Sequence, residues 1–195
     1  RSLVNGGEHP NRLKGYGVAP EDFSMILPAR FVSEKGHRFL VQALALLRDQ
    51  GLFPKALLFG DGPLVPEVAA EVEQRGLRDQ VIMHRAVPNA ELLPLVRDAH
   101  MVVMPSTNEG LPISALEALA LARPLLASRV GGLSSLVEDN VSGLLVPPAD
   151  PQALAEGIAR LMTDPTLRER LGRAGRQSIE EHYSADIVAG QWDAY

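Results

Sequence analysis

Residues 101–124, MVVMPSTNEGLPISALEALALARP, decide the fold, because they read as a buried strand running directly into a buried helix. Met101 to Met104 is a short apolar run with two β-branched residues, closed by Pro105 and Ser106. That pattern suits a strand covered on both faces of a parallel sheet. A helical pattern then runs over 110–122, with Gly110 as the expected cap and Pro112 preset for the first turn. Its body is polar only at Ser114 and Glu117, so burial on nearly all sides is expected. Glu117 shares a stripe with Ile113, Leu116 and Ala120. A carboxylate leaning inward there needs a polar partner, in the protein or in a ligand, because leaving it unpaired costs several kcal/mol. A solvated stripe along one edge of the helix is the plainer alternative. The free amides of the helix start stand beside both Glu109 and Glu117, which makes the strand–helix junction a candidate anion site.

Outward from this pair the chain alternates strand and helix. Strands are expected at 25–27 with an extension to 31, and at 55–59, 81–83, 124–127 and 143–146. Helices are expected at 37–50, 64–75 and 89–98, the last capped by Asn89, with three more opening at Pro151, Pro165 and Ala185. Gly131 and Gly132 read as a tight turn. Residues 1–24 carry several Gly and Pro without periodicity and read as a linker entering a domain over 25–195. The alternation implies an α/β fold: a doubly wound, mainly parallel six-stranded sheet of Rossmann-like type, helices on both faces, and extra C-terminal helices. In the strand order 3-2-1-4-5-6 the ligand crevice lies between strands one and four, at their carboxyl ends. Arg30 and Lys35 follow strand one, and Ser106 to Gly110 follow strand four. Gly36, opening the next helix, would let a phosphate approach closely. Two cations thus face two carboxylates across one crevice, which suits a phosphorylated ligand bearing hydroxyl groups.

Composition narrows the classes. With 195 residues, 46% hydrophobic and 22% charged, the chain is long enough for one substantial globular domain. A net charge of −5 and no long basic run argue against nucleic acid as a partner. The absence of cysteine removes disulfides, thiol catalysis and thiolate metal sites, and is compatible with a cytoplasmic setting. The five histidines show no metal-ligand spacing and read as structural or exposed, and no carboxylate cluster is built for a metal, so none is expected. Gly60 and Gly62 lack the third glycine of a dinucleotide fingerprint, and there is no Gly-x-Ser-x-Gly elbow. The arginines at 168, 170, 173 and 176 read as a solvated face, with weak attraction to acidic lipid heads as the alternative. The chain opens on Arg1 rather than Met, so a piece of a longer protein is expected.

In this order the motifs resemble the carboxyl-terminal, nucleotide-sugar-binding domain of retaining GT-B glycosyltransferases of glycosyltransferase family 4. The resemblance rests on Arg30 with Lys35-Gly36, Gly60-Asp61-Gly62-Pro63, Pro105-Ser106 with Glu109-Gly110, and Leu116-Glu117-Ala118. It continues through Pro124, Gly131-Gly132, and Gly143 with Val146-Pro147-Pro148 and Asp150, covering nearly the whole chain. It implies that Arg30 and Lys35 hold the donor diphosphate and that Glu117 takes the ribose hydroxyls. Glu109, with the amides of Gly110 and Leu111 and the adjoining Pro112, would take the transferred sugar. The base would lie against His84, Arg85 and Val87. Catalysis would fall to Arg30, Lys35 and Glu109, with no cofactor beyond a UDP-, GDP- or ADP-sugar donor. Ala29, Arg85, Ala122 and Ser135 depart from the family pattern, and Arg85 stands where the base should rest. The segment with Asn5-Gly6 resembles the crossover from an amino-terminal, acceptor-binding domain, and Trp192 to Tyr195 the helix that crosses back. An isolated domain would then bind donor without transferring sugar, and the full-length protein would be cytoplasmic or peripheral at a membrane. A nucleotide-sugar epimerase-like domain and a non-catalytic nucleotide-sugar-binding module are the rival readings.

Overall fold

The computed structural model describes residues 12–110 and 112–183. Six strands, β1 (Ser24–Pro28), β2 (Lys55–Phe59), β3 (Val81–His84), β4 (Met101–Met104), β5 (Leu125–Ser128) and β6 (Leu144–Val146), form one sheet in the order β3-β2-β1-β4-β5-β6. Every pairing is parallel, so the doubly wound sheet read from the alternation is what forms. The helices are α1 (His37–Asp49), α2 (Val65–Gln74), α3 (Asn89–Asp98), α4 (Ile113–Ala120), α5 (Gly131–Leu136), α6 (Pro151–Thr163) and α7 (Pro165–His182).

The strands are apolar without alternation because both faces are covered. Successive side chains of β1 point to opposite layers: Met25 and Leu27 join α1, α2 and α6 on one face, and Ile26 joins α3, α4 and α5 on the other. Leu40, Ala43, Leu44 and Leu47 of α1 are fully buried, as their spacing predicts. The last helix serves both layers, with Leu167 and Leu171 in the first and Ile179 in the second. Asp150 and Asp164 cap α6 and α7 by accepting the amides of Ala153 and Leu167 at 3.0 and 2.9 Å, each with Pro in the first turn. Among the described residues no helix is long and apolar enough to cross a membrane.

Several local expectations are corrected. Order begins before residue 25: Arg12–Tyr16 forms a 3-10 turn, and Leu13 and Val18 are buried in the second layer. The helix after β4 starts at Ile113 rather than Gly110, with Pro112 at the capping position. That helix is not buried all round. Ala115, Ala118 and Leu119 enter the core, while Ile113 and Ala120 are exposed, because α4 lies on one face of the sheet with α3 and α7 beside it and leaves these two positions uncovered among the described residues. Gly131 and Gly132 open α5 rather than making a tight turn. Asn89 does not cap α3; Pro88 takes that place, and the Asn89 side chain is used elsewhere. The helix expected from Ala185, the segment 192–195 and Asn5-Gly6 lie outside the described residues.

Candidate functional site

The carboxyl ends of β1 and β4 are held together by backbone before any side chain is considered. After β1 the chain makes a 3-10 turn, Ser33–Lys35, and Gly36 then adopts a left-handed φ of 69°. A Cβ at Gly36 would stand 1.9 Å from the Pro105 carbonyl oxygen, so glycine lets this turn lie directly on the loop after β4. That close approach explains Gly36 more directly than room for a phosphate does. The Thr107 amide donates to the Glu34 carbonyl at 2.8 Å, a second stitch between the two loops. On the other side the Gly132 amide donates to the Glu109 carbonyl at 3.0 Å, and Gly131 permits that contact because its Cβ would meet the same oxygen at 2.0 Å. The glycine pair therefore serves as the backing of Glu109.

Within this frame Lys35 and Glu109 form an ion pair, with Nζ at 2.7 and 2.8 Å from the two carboxylate oxygens. The Ser106 hydroxyl donates to Glu109 Oε2 at 2.9 Å. Ser106 is buried, and the Glu109 side chain is 8% exposed against 24% for Lys35. The two cations are thus not equivalent. Arg30 is exposed, and its side chain makes no hydrogen bond or ion pair among the described residues. Its charge is felt at Glu34, whose carboxyl is lowered by its own backbone amide, then by the Ser33 hydroxyl, with Arg30 and Lys35 adding to them. Gly110 is exposed and Pro112 buried, while Leu111 lies outside the described residues.

Glu117 has its polar partner. Asn89 Nδ2, at the start of α3, donates to Glu117 Oε1 at 2.8 Å. Partial burial raises the Glu117 carboxyl above its ordinary range, and the Asn89 bond opposes that rise. Asn89 is a site residue that sequence reading missed. The signal was Pro88, which occupies the capping position and frees the amide next to it.

The segment after β3 joins the same crevice through the loop after β2. The Gly60 amide donates to the His84 carbonyl at 3.0 Å, and a Cβ at Gly60 would stand 2.1 Å from the Ala29 carbonyl. His84 is exposed, with its ring edge-on to Tyr16 at 5.3 Å. The Arg85 side chain is 90% exposed, 3.6 Å from Asp61 Oδ1, while Asp61 Oδ2 accepts the Ala86 amide at 3.2 Å. Val87 packs partly buried on the second core layer. The switch point therefore brings Lys35, Ser106 and Glu109 into contact, with Gly36 against Pro105, while Arg30 and Gly110 stand on the same two loops and the Gly60 amide ties His84 to the loop after β2.

His37, the first residue of α1, lies beneath this loop. It is 2% exposed and stacked on Phe31 at 4.1 Å between ring centroids, and neither ring nitrogen has a hydrogen-bond partner among the described residues. Burial pushes its pKa down to about 4, with the nearby Ala29 carbonyl opposing and the Lys35 ammonium adding to the fall. The folded state thus holds this imidazole neutral while the unfolded chain protonates it near the ordinary value of about 6.5. Its contribution to stability is complete above that value and is lost as pH falls toward 4. Replacing His37 with Leu is expected to flatten the acid limb of stability in that window by up to about 3 kcal/mol, read from urea unfolding at several pH values. An unchanged limb would mean that the imidazole charges freely in the folded chain. Among the described residues no group of His, Cys, Asp and Glu could hold a metal ion.

Residues 11–178 match the family model described as "Glycosyl transferases group 1". The chain is 33% identical over 162 residues to an alpha-D-kanosaminyltransferase of Streptomyces kanamyceticus, covering 83% of this chain and 42% of that protein. It is 37% identical over 188 residues to a D-inositol 3-phosphate glycosyltransferase of Jonesia denitrificans, covering 89% and 43%. It therefore spans less than half the length of these curated relatives. In fold it is similar to the Anabaena protein HepE, solved in complex with UDP, with a TM-score of 0.81 at 24% identity over 94% of this chain and 51% of that one. The parallel sheet, its strand order and the match over 11–178 agree, and the chain belongs to the glycosyl transferases group 1 family.

Proposed function

We propose that this chain is the donor-binding half of a retaining glycosyltransferase of glycosyltransferase family 4, moving a sugar from a nucleoside diphosphate to an acceptor hydroxyl. The observation that carries the reading is the Lys35–Glu109–Ser106 cluster at the switch point, with the exposed side chain of Arg30 on the same loop as Lys35. An ammonium has three N–H donors, and Lys35 directs its contacts to the two Glu109 oxygens, so a donor remains for a phosphate oxygen. A carboxylate offers about four acceptor sites, of which Lys35 and Ser106 take three on Glu109, leaving room for one sugar hydroxyl. Glu117, steadied by Asn89, is the acceptor for ribose hydroxyls, and the segment from His84 to Val87 borders the base.

In this reading the glycosidic C–O bond of the donor breaks with its electron pair going to the β-phosphate oxygen. Arg30 and Lys35 stabilise the charge that grows there, so no metal and no protein nucleophile are required. The acceptor, and the residues that orient it, belong to a further domain of the longer protein. Relatives named as glycosyltransferases and a similar fold solved with UDP support this assignment.

The test is calorimetric titration of the chain with UDP, GDP and ADP, then with the matching nucleotide sugar. Glu117→Gln should weaken nucleotide and nucleotide sugar by a similar factor, because ribose is common to both. Glu109→Gln should weaken only the nucleotide sugar. Equal losses of bare-nucleotide affinity in both folded variants would contradict this division of labour.

A further inference from the structure

The end of the sheet opposite the crevice carries a second candidate site. At the amino ends of β1, β4 and β5 a cavity of about 440 Å³ opens between the turn before β4, the turn before β5 and the start of α7. Its wall includes Asp98, His100, Arg123, Arg168, Glu169 and Arg173. Both carboxylates are already engaged: Asp98 lies 3.2 Å from Arg12 Nη1, and Glu169 pairs with Arg173. Arg123 and Arg168 form no ion pair among the described residues, although the charge of Asp98 acts on Arg123 and that of Asp164 on Arg168. They are instead held in place by neutral acceptors. Arg123 donates from Nη1 to the Ala99 carbonyl at 3.3 Å and from Nε to that of Leu121 at 3.4 Å. Arg168 donates from Nη1 to the carbonyls of Leu161 and Met162 at 2.6 and 3.2 Å, and its guanidinium lies 5.3 Å from the centre of the Phe23 ring. In each case Nη2 makes no hydrogen bond among the described residues.

His100 completes the set. The Ser24 amide donates to its Nδ1 at 3.1 Å, which makes Nδ1 the acceptor and puts the proton of the neutral ring on Nε2. Nε2 has no hydrogen bond among the described residues. Burial lowers the His100 pKa, and the charges of Arg168 and Arg123 lower it further. Three fixed donors, two of them charged, thus border one cavity whose remaining wall includes Ala99, Ala122, Pro124 and Pro165.

We propose that this cavity binds a phosphate-bearing small molecule, its phosphoryl oxygens taken by Arg123, Arg168 and His100. Planar guanidiniums suit a tetrahedral dianion, and carbonyl bonds that fix their orientation reduce the ordering cost of binding. The small apolar residues accommodate the body of the ligand. The site does not depend on the donor reading, since it shares no residue with the crevice.

Residue-resolved NMR titration with inorganic phosphate, against chloride at equal ionic strength, tests it. Saturable shifts of the amides of His100, Arg123 and Arg168 are expected, fitting one dissociation constant. Arg123→Gln and Arg168→Gln should each weaken that binding about tenfold or more, in proteins whose unfolding curves show them folded. Amides 30–36 should keep their own response. If Arg123→Gln does not fold, Arg168→Gln alone decides, because its side chain is less buried. Linear, unsaturable shifts, or an unchanged constant in the folded variants, would overturn the proposal. So would binding to vesicles containing phosphatidylserine without saturable phosphate binding, which would mark a surface attraction to lipid instead.

Discussion

Gly36→Ala is expected to destabilise the chain by about 3 kcal/mol or more, a large share of the roughly 5–15 kcal/mol that holds a typical domain together. Two costs add. The left-handed φ of 69° is strained for any residue with a Cβ, and the new methyl would sit 1.9 Å from the Pro105 carbonyl oxygen. Neither atom can yield cheaply, because both belong to backbone that closes the switch point. The turn at 33–35 would have to lift off the loop after β4, carrying Lys35 away from Glu109. Gly15→Ala is the control, since nothing lies within 4 Å of its Cβ position and its φ is ordinary. Chemical denaturation of the two variants measures the difference. A loss below about 1 kcal/mol for Gly36→Ala would show that the loops are not locked together by this contact.

Lys35→Ala is expected to have the second large effect, and its stability cost separates from its binding cost. With the ammonium gone, the Glu109 carboxylate, 8% exposed in the intact pair, keeps only Ser106 as a side-chain partner. Breaking a buried pair costs about 3–5 kcal/mol, and partial exposure of Lys35 reduces the expected loss to about 1–3 kcal/mol. Adding Glu109→Gln to Lys35→Ala should restore most of that stability, because the stranded charge is removed together with its partner. Nucleoside diphosphate affinity should stay low in the double variant, since no cation replaces Lys35 at the phosphate. A double variant as unstable as Lys35→Ala alone would show that the pair is not energetically coupled.

The long-range architecture was legible because it rests on patterns that many residues share. Strand runs such as 55–59 and 101–104 are apolar throughout, and their alternation with helices leaves few parallel topologies. Helix ends were less legible. The start of α4 moved from Gly110 to Ile113 because the cap depends on where the chain leaves β4, which neighbouring residues do not encode. Burial of α4 was overestimated for a related reason: alanine and leucine fit a one-sided helix as readily as an enclosed one. At the site, Arg30, Lys35, Glu109 and Glu117 could be placed near one crevice from their positions after strands. Their pairing could not. Lys35 with Glu109 spans 74 residues, and Asn89 with Glu117 spans 28, so both appear only once the sheet order has brought the loops together. The glycines at 36 and 131 were visible as glycines, but the carbonyl oxygens that require them belong to distant segments.

In the proposed reading the crevice beside β1 and β4 recognises a nucleoside diphosphate through cations at its phosphates. The most direct measurement compares Arg30→Ala with the unchanged chain for a nucleoside diphosphate and its parent nucleoside. Arg30 is exposed and unpaired among the described residues, so its removal should leave the unfolding curve where it was. Diphosphate affinity is expected to fall about tenfold or more, with nucleoside affinity unchanged and the gap narrowing as salt is added. Equal losses for nucleoside and diphosphate, or no binding of either to the unchanged chain, would contradict that reading.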